Sequence, residues 1–164
     1  MQSQAYAFRP MTAADLPIVR QWLAKPHVAE WWGDPAWQFR LVSEDLAHPA
    51  MDQFIVECER RAFAYLQCYD PSAWVNHGFG VLPSGARGID QFIGEEDMMA
   101  QGHGSAFIRA FADRLLAAGV PQALTDPSPA NARAIKAYEK AGFCKQRPVE
   151  TPDGAALQWF AIHE

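Results

Sequence analysis

A glycine-rich turn in the second half of the chain has the residue types that bind a phosphate group. It reads Gln101-Gly102-His103-Gly104-Ser105 and stands between a predicted strand and a predicted helix. Glycines let a backbone approach a ligand closely, and the unpaired N–H groups at a helix start bind anions. Most such turns are ordinary helix starts, and no Lys-Ser/Thr pair follows that would make this one a Walker loop. Pyrophosphate binding is therefore one of two open interpretations.

Two titratable residues could do acid–base chemistry if the fold buries them. Asp90 has the apolar neighbours Ile89 and Phe92 in a predicted strand. Desolvation there would raise its pKa and suit it to accept a proton, whereas at a strand edge it would be a solvated acid. Tyr138 follows Ile135 by one turn of the last predicted helix. A tyrosine in that position is either a proton donor or a core residue with a hydrogen-bonded hydroxyl.

Five further residues could contact a ligand but also have structural explanations. Asn131 stands at a predicted helix start, where its side chain can cap the helix. Asp126 precedes Pro127, and Asp153 lies between Pro152 and Gly154, so both are typical turn formers. Trp31 and Trp32 could form an aromatic wall for a ligand, or attach the N-terminal helices to the sheet.

Apolar spacing and chain-breaking residues predict the elements that must position these side chains. The first half is predicted to contain a strand ending at Arg9-Pro10, a helix from a Thr12 cap to Pro26, a turn over 27–35, a helix over 36–47, and strands over 53–59 and 62–69. The second half is predicted to contain a loop over 70–87, strands over 88–94, 122–125, 143–149 and 155–162, and helices over 102–119 and 131–141. Strands alternating with helices predict a crossover within a mixed sheet, and hence one α/β (α+β) domain over residues 1–164.

The composition argues against several classes of protein. The chain has 164 residues, a formal net charge of −5 and three scattered cysteines. Its length can bury a core without disulfides or metals, and its charge argues against nucleic acid or an anionic membrane as a partner. No apolar stretch approaches the ~20 residues that span a bilayer. We expect a cytoplasmic protein, monomeric or homodimeric, with reduced thiols and no metal.

The residues after the glycine-rich turn identify a family. Thr125-Asp126-Pro127-Ser128-Pro129-Ala130-Asn131, followed by Arg133 and then Ala-Ile-Lys-Ala-Tyr-Glu-Lys-Ala-Gly-Phe to Phe143, resembles the C-terminal motif of GNAT acetyltransferases. More narrowly, the chain is similar to the aminoglycoside 6′-N-acetyltransferase branch through Glu30-Trp31-Trp32-Gly33, Tyr65-Leu66-Gln67-Cys68-Tyr69, Arg87-Gly88-Ile89-Asp90-Gln91 and Thr151-Pro152-Asp153-Gly154. The resemblance implies a GNAT-like domain, with a mixed central β-sheet flanked by helices, that transfers acetyl from acetyl-CoA to a primary amine.

Two positions depart from the family pattern. Met99 stands where Gln or Arg usually begins the acetyl-CoA turn. The loop over 71–86 contains His77 but no carboxylate, whereas the corresponding loop of the antibiotic-modifying enzymes is acidic. We therefore expect weak or absent acetylation of aminoglycosides and a preference for a smaller, less cationic amine.

The resemblance also implies the roles of individual residues. Direct attack on the thioester needs a neutral amine, a donor for the oxyanion and a proton for the departing thiolate. Asp90 would be the general base or amine ligand, Tyr138 the acid, and an N–H near Gln91 or Phe92 the oxyanion donor. The acceptor would be held by Trp31, Trp32, Asp126 and Asp153. Acetyl-CoA would be bound by Gln91, Phe92, Ile93, Gln101, Gly102, His103, Gly104, Ser105, Asn131, Ala134 and Lys140.

Three functions remain open on these grounds. The first is acetyl transfer to a small, possibly aminoglycoside-like amine. The second keeps the fold but acetylates a hydroxylated lysine, a siderophore precursor or a peptide amine, which the uncharged 71–86 loop favours. The third is a catalytically silent acyl-CoA or ligand-binding module, against which the presence of both Asp90 and Tyr138 argues.

Overall fold

The structure is a computed structural model that describes residues 5–74, 78–150 and 156–163, with the backbone alone for 147–150 and 156–160. Within these ranges the strands are β1 (Tyr6–Pro10), β2 (Met51–Cys58), β3 (Arg61–Tyr69), β4 (Arg87–Ile93), β5 (Ala123–Thr125), β6 (Cys144–Glu150) and β7 (Ala156–Ile162). The α-helices there are α1 (Leu16–Leu23), α2 (Pro26–Trp32), α3 (Pro35–Asp45), α4 (His103–Ala117) and α5 (Ala132–Lys140). Short 3-10 turns cover Ala13–Asp15, Pro71–Ala73 and Glu96–Met98.

The described strands form one mixed sheet in the order β1-β2-β3-β4-β5-β7-β6. β1 pairs antiparallel with β2, and β7 pairs antiparallel with both β5 and β6. β4 and β5 are parallel, and α4 is the helix between them in the chain. A parallel pair needs such a crossover, so the predicted strand–helix–strand unit and the mixed α/β fold are confirmed.

The chain divides into two compact units, and neither is a continuous stretch of sequence. The first unit comprises residues 1–67 and 91–103, and the second comprises residues 68–90 and 104–164. β3 and β4 each contribute residues to both units. That the whole of 1–164 acts as a single domain stays a prediction.

Each unit has its own buried apolar core. In the first unit, Val19, Trp22 and Leu23 of α1 are at most 1% exposed and pack with Ile55 and Tyr65. These α1 residues are those whose helical spacing predicted the helix. In the second unit, α4 buries an apolar stripe that consists of Phe107, Ile108 and Phe111. Leu124 of β5 packs with Phe79, Ala86 and Ala161.

The N-terminal half contains one wrong prediction, and several element boundaries there differ by one or two residues from those predicted. The segment over 27–35, predicted as a turn, begins with a helix, since α2 runs from Pro26 to Trp32. Pro26 is predicted to stop α1. Proline is also favoured at the first position of a helix, because the N–H that it lacks would be unpaired there. The turn between β2 and β3 lies at Glu59 and Arg60, with φ of 52° and 68°, one residue earlier than predicted.

Candidate active site

The second unit brings two carboxyl groups together where β4 and β5 run parallel. Arg87 pairs with Ala123 and Gly88 with Leu124. Extended by two residues, this register brings Asp90 level with Asp126, the residue that follows β5, and the charge of Asp90 acts on Asp126. Paired residues of parallel strands project to the same face of the sheet, and so do residues two apart along one strand. Asp90 and Asp126 are therefore neighbours on one face.

The two carboxyl groups change each other's chemistry. Burial, and secondly the charge of Asp90, raise the pKa of Asp126 to about 8, against a smaller opposing effect of a backbone hydrogen bond. Two close carboxylates cannot both ionise cheaply where water is scarce. Near neutral pH Asp126 therefore keeps its proton while no cation is bound. An ammonium group between the two carboxyls would favour the ionised form.

Tyr69, the last residue of β3, belongs to the same cluster and was not among the predicted site residues. Burial raises its pKa well above the ordinary value, and Asp90, Asp126 and Tyr138 raise it further. Its phenol therefore stays protonated across the physiological pH range. The sequence signal that could have revealed Tyr69 is Gly88, because a glycine inside a strand often marks the close approach of another group.

Tyr138 lies on the buried side of α5, as predicted. It is 3% exposed, and its ring meets Phe143 edge-on with the centroids 5.4 Å apart. This contact places Tyr138 among buried aromatic residues. Its ionisable phenol is also one of the groups that raise the pKa of Tyr69. Tyr138 is thus a buried residue, and its role as an acid stays a prediction.

The start of α5 shows the predicted cap. The Asn131 side-chain oxygen accepts a hydrogen bond of 3.2 Å from the backbone N–H of Ala134. Lys140 is exposed in the last turn. Capping accounts for Asn131 and for the Ala134 N–H, so a contact of either with acetyl-CoA remains a prediction, as it does for Lys140.

The glycine-rich turn has a backbone that only a small residue accepts easily. Gly102 has a φ of +84°, and the space where a side chain would stand is open to 4 Å. α4 begins at the next residue, His103, whose ring is 6% exposed and has Nδ1 2.8 Å from the Tyr6 phenol oxygen. The Gln101 side chain donates to the backbone oxygen of Asp97. Both side chains are engaged by the protein, and Gly104 and Ser105 are half-buried. Phosphate binding by the backbone N–H groups at this helix start stays a prediction.

The residues of β4 that were predicted to hold acetyl-CoA differ in their surroundings. Phe92 is 6% exposed and packs edge-on against Trp22 and Trp32, with centroids 6.2 Å and 5.0 Å away. Its side chain is core, so only its backbone could serve a ligand. The carbonyl of Ile93 accepts a hydrogen bond of 2.9 Å from Nε2 of His27, and Gln91 is half-buried.

The tryptophan pair divides between core and surface. Trp32 is half-buried, and its ring meets that of Tyr65 edge-on at 6.0 Å as well as that of Phe92. Trp31 is 41% exposed. Contacts of either with an acceptor remain predictions. Asp153 and His77 lie outside the described residues.

The comparisons with known proteins decide the family. The model of the acetyltransferase (GNAT) domain matches residues 11–151. The chain belongs to the GNAT acetyltransferase family. Aminoglycoside N(6')-acetyltransferase type 1 of Klebsiella pneumoniae is 32% identical to this GNAT protein, over 94% of this chain and 82% of the relative.

Solved structures agree with that relationship. The structure of AAC(6')-Ib in complex with paromomycin and acetyl-CoA has a TM-score of 0.86 at 32% identity, covering 98% of this chain and 94% of that chain. AAC(6')-Ib in complex with coenzyme A and kanamycin gives a TM-score of 0.85 at 32% identity, with 98% and 95% covered. The present GNAT protein is an N-acetyltransferase, and acetyl-CoA is its acyl donor.

Two searches of the described residues bear on metals and membranes. None of the helices in residues 5–74, 78–150 and 156–163 has the length and apolar character to cross a bilayer. The same ranges contain no group of three or more His, Cys, Asp or Glu side chains arranged around a possible metal ion. Cys58 and Cys68 are buried thiols, and Cys144 is an exposed thiol.

Proposed function

We propose that this GNAT protein acetylates a primary amine of a small cationic molecule of the aminoglycoside kind, and that Asp90 and Asp126 receive that amine. The supporting observation is the pair of carboxyl groups across β4 and β5, one of which has a pKa of about 8. A site of this kind attracts an ammonium group and can take a proton from it. An isolated acyl-CoA-binding module needs neither property.

The reaction needs few groups from the protein. An amine enters as an ammonium ion and transfers a proton to the carboxyl pair, with Asp90 as the base or amine ligand. The neutral amine attacks the acetyl carbonyl, and a backbone N–H near Gln91 or Phe92 stabilises the oxyanion. The carbon–sulfur bond then breaks and Tyr138 supplies the proton to the thiolate, while the excess proton on the new amide nitrogen returns to the Tyr138 phenolate directly or through solvent. In this proposal the backbone of residues 102–105 binds the pyrophosphate of acetyl-CoA. Residues 1–164 act together as one domain.

The size and charge of the acceptor are proposed from the loop over 71–86. This loop has no carboxylate. Each ion pair in a partly desolvated cleft adds attraction for a polycation. A site that uses Asp90, Asp126 and Asp153 beside an uncharged loop suits an acceptor with fewer ammonium groups than kanamycin. The same absence of charge supports the second candidate, a hydroxylated lysine, siderophore precursor or peptide amine.

A screen for free CoA thiol separates these acceptors. The protein is mixed with acetyl-CoA and, in parallel, with kanamycin, tobramycin, single-ring amino sugars, N-hydroxylated lysine and a short peptide. We expect kanamycin and tobramycin to react weakly and a less cationic amine to have the highest kcat/KM. Expression in a susceptible bacterium should give little resistance to either drug. A large rise in resistance, matched by efficient acetylation, would show that the missing loop charges do not matter, and thiol release from no amine at all would contradict the proposed function.

A further inference from the structure

The ring of Tyr69 occupies the space that a side chain at position 88 would fill. A Cβ atom built on Gly88 would lie 2.6 Å and 2.7 Å from the two Cε atoms of Tyr69, and closer still to Cζ, the atom that carries the hydroxyl. Real Cβ atoms essentially never approach so closely. A side chain at position 88 would therefore collide with the hydroxyl end of the Tyr69 ring, and glycine avoids that collision.

This position brings the phenol to the carboxyl pair. The direction in which a Gly88 side chain would point is also the direction of Asp90, because residues two apart in a strand project to the same face. The parallel register adds Asp126 to that face. The hydroxyl of Tyr69 thus stands on the face of the sheet that carries both carboxyl groups.

The neighbours of Tyr69 hold the ring in place. Trp74 meets it edge-on, with the ring centroids 5.5 Å apart. The carboxylate of Asp70 turns away into the next turn, where it accepts hydrogen bonds of 3.0 Å and 2.8 Å from the backbone N–H and hydroxyl of Ser72. The hydrogen bonds to Ser72 lower the pKa of Asp70, so it stays ionised within its own turn. The hydrogen bonds of the Asp70 carboxylate to Ser72 thus lie within that turn.

Because Tyr69 keeps its proton, its phenol can act as a hydrogen-bond donor. The titratable groups that act on it are Cys68 of β3, Asp90 of β4, Asp126 after β5 and Tyr138 of α5, and burial and all four of these groups raise its pKa. A phenol that keeps its proton can donate a hydrogen bond, and carboxylates such as those of Asp90 and Asp126, whose charges act on Tyr69, are strong acceptors.

We propose that Tyr69 is a positioning residue that donates a hydrogen bond to the Asp90–Asp126 pair and so keeps one of the two carboxyls ionised to receive the acceptor's proton. This inference rests on the proposed function, in which that pair receives the amine. Hydrogen bonding to the charged form of an acid favours that form. The phenol thereby offsets part of the repulsion between two acids in a partly buried place.

The test is a pH profile of kcat/KM in Tyr69→Phe. This variant keeps the ring over Gly88 and removes only the hydroxyl. We expect the acid limb of the profile to move to higher pH by about one unit, with activity recovering in alkaline buffer and acetyl-CoA affinity unchanged. Tyr65→Phe is the matched control, because Tyr65 is a buried tyrosine of the same strand whose phenol bonds the uncharged amides of Gln53 and Gln67. Its acid limb should not move.

Two further measurements keep the proposal open to refutation. Gly88→Ala retains the phenol but displaces it, and the same upward shift is expected. Titration of the carboxyl carbons by NMR, in protein labelled with ¹³C at aspartate, should give a higher pKa for the pair in Tyr69→Phe whether or not an acceptor has been found. Superimposable NMR titrations, or an acid limb unmoved in both variants, would overturn the role of Tyr69. A wild-type protein that releases no thiol with any amine, but whose carboxyl titration shifts in Tyr69→Phe, would refute the proposed function and leave the role of Tyr69 intact.

Discussion

Nδ1 of His103 lies 2.8 Å from the phenol oxygen of Tyr6, a residue 97 positions earlier in the chain. The two rings are also edge-on, with centroids 5.9 Å apart. His103 opens α4 within the glycine-rich turn, so this hydrogen bond attaches the turn to β1. The buried histidine thus supports the glycine-rich turn, on which we propose that acetyl-CoA binds.

Tyr6→Phe should loosen that support. A buried polar group left without its partner costs about 1–3 kcal/mol, which corresponds to a fall in Tm of about 2–12 °C for a chain of this size. Acetyl-CoA should bind severalfold more weakly, since the N–H groups at the helix start lose their fixed position. Thermal melts and calorimetry measure the two effects, with Trp37→Phe at a 53% exposed site as the control. An unchanged Tm together with unchanged affinity would refute this role of Tyr6.

Gly104→Val should greatly weaken acetyl-CoA binding. A branched side chain at the first turn of α4 would obstruct the approach of a pyrophosphate to the backbone N–H groups. Ala110→Val, on an exposed position of the same helix, controls for the loss of helix propensity. Calorimetric titration of both variants with acetyl-CoA is the measurement. Equal affinity in Gly104→Val and wild type would place the pyrophosphate elsewhere.

Tyr138→Phe should lower turnover more than it weakens acetyl-CoA binding. The ring and its contact with Phe143 are kept, and only the hydroxyl that would protonate the thiolate is lost. Removing a positioned acid reduces a rate by about 10²–10⁴-fold. Single-turnover rates on the preferred amine measure the chemical step, and calorimetry measures the affinity. The hydroxyl has no acid role if the single-turnover rate is unchanged.

The raised pKa of Asp126 predicts a pH dependence of stability with a definite sign. Its pKa rises from 3.8 in the unfolded chain to about 8 in the folded protein, so the folded state binds more protons between these values. Stability should therefore fall as pH rises from about 4 to about 8, and this contribution should level off above. Asp126→Asn should remove that part of the slope. Tm measured from pH 5 to pH 9 in both proteins checks it, and parallel curves would show that Asp126 titrates normally.

The predictions that succeeded from sequence depended on local, repetitive signals. Glycines stand at the ends of the predicted helices over 102–119 and 131–141, and both of them, Gly119 and Gly142, have positive φ, 95° and 98°. The apolar spacing over Leu16 to Leu23 predicted α1 and its buried face. Such patterns are written within a few neighbouring residues, and tertiary contacts rarely override several of them at once.

The predictions that failed depended on contacts between distant residues. Pro26 has the same chemistry whether it stops one helix or starts the next, and the structure shows that it starts α2. Tyr69 looked like the last apolar residue of a strand, because its relation to Gly88 and Asp126 exists only once β4 and β5 have paired. The pairing of Asp90 with Asp126 likewise follows from the parallel register, which sequence spacing alone does not give.

The discontinuity of both compact units has a consequence for how the protein is made. A ribosome delivers the chain from its N-terminus, and the first unit lacks residues 91–103 until those have emerged. The second unit receives 68–90 early but waits for 104–164. No fragment that ends before residue 103 holds a finished unit, so we expect truncated translation products to expose apolar surface that proteases and chaperones recognise. Recombination between related genes is constrained in the same way, because no single crossover exchanges one unit intact.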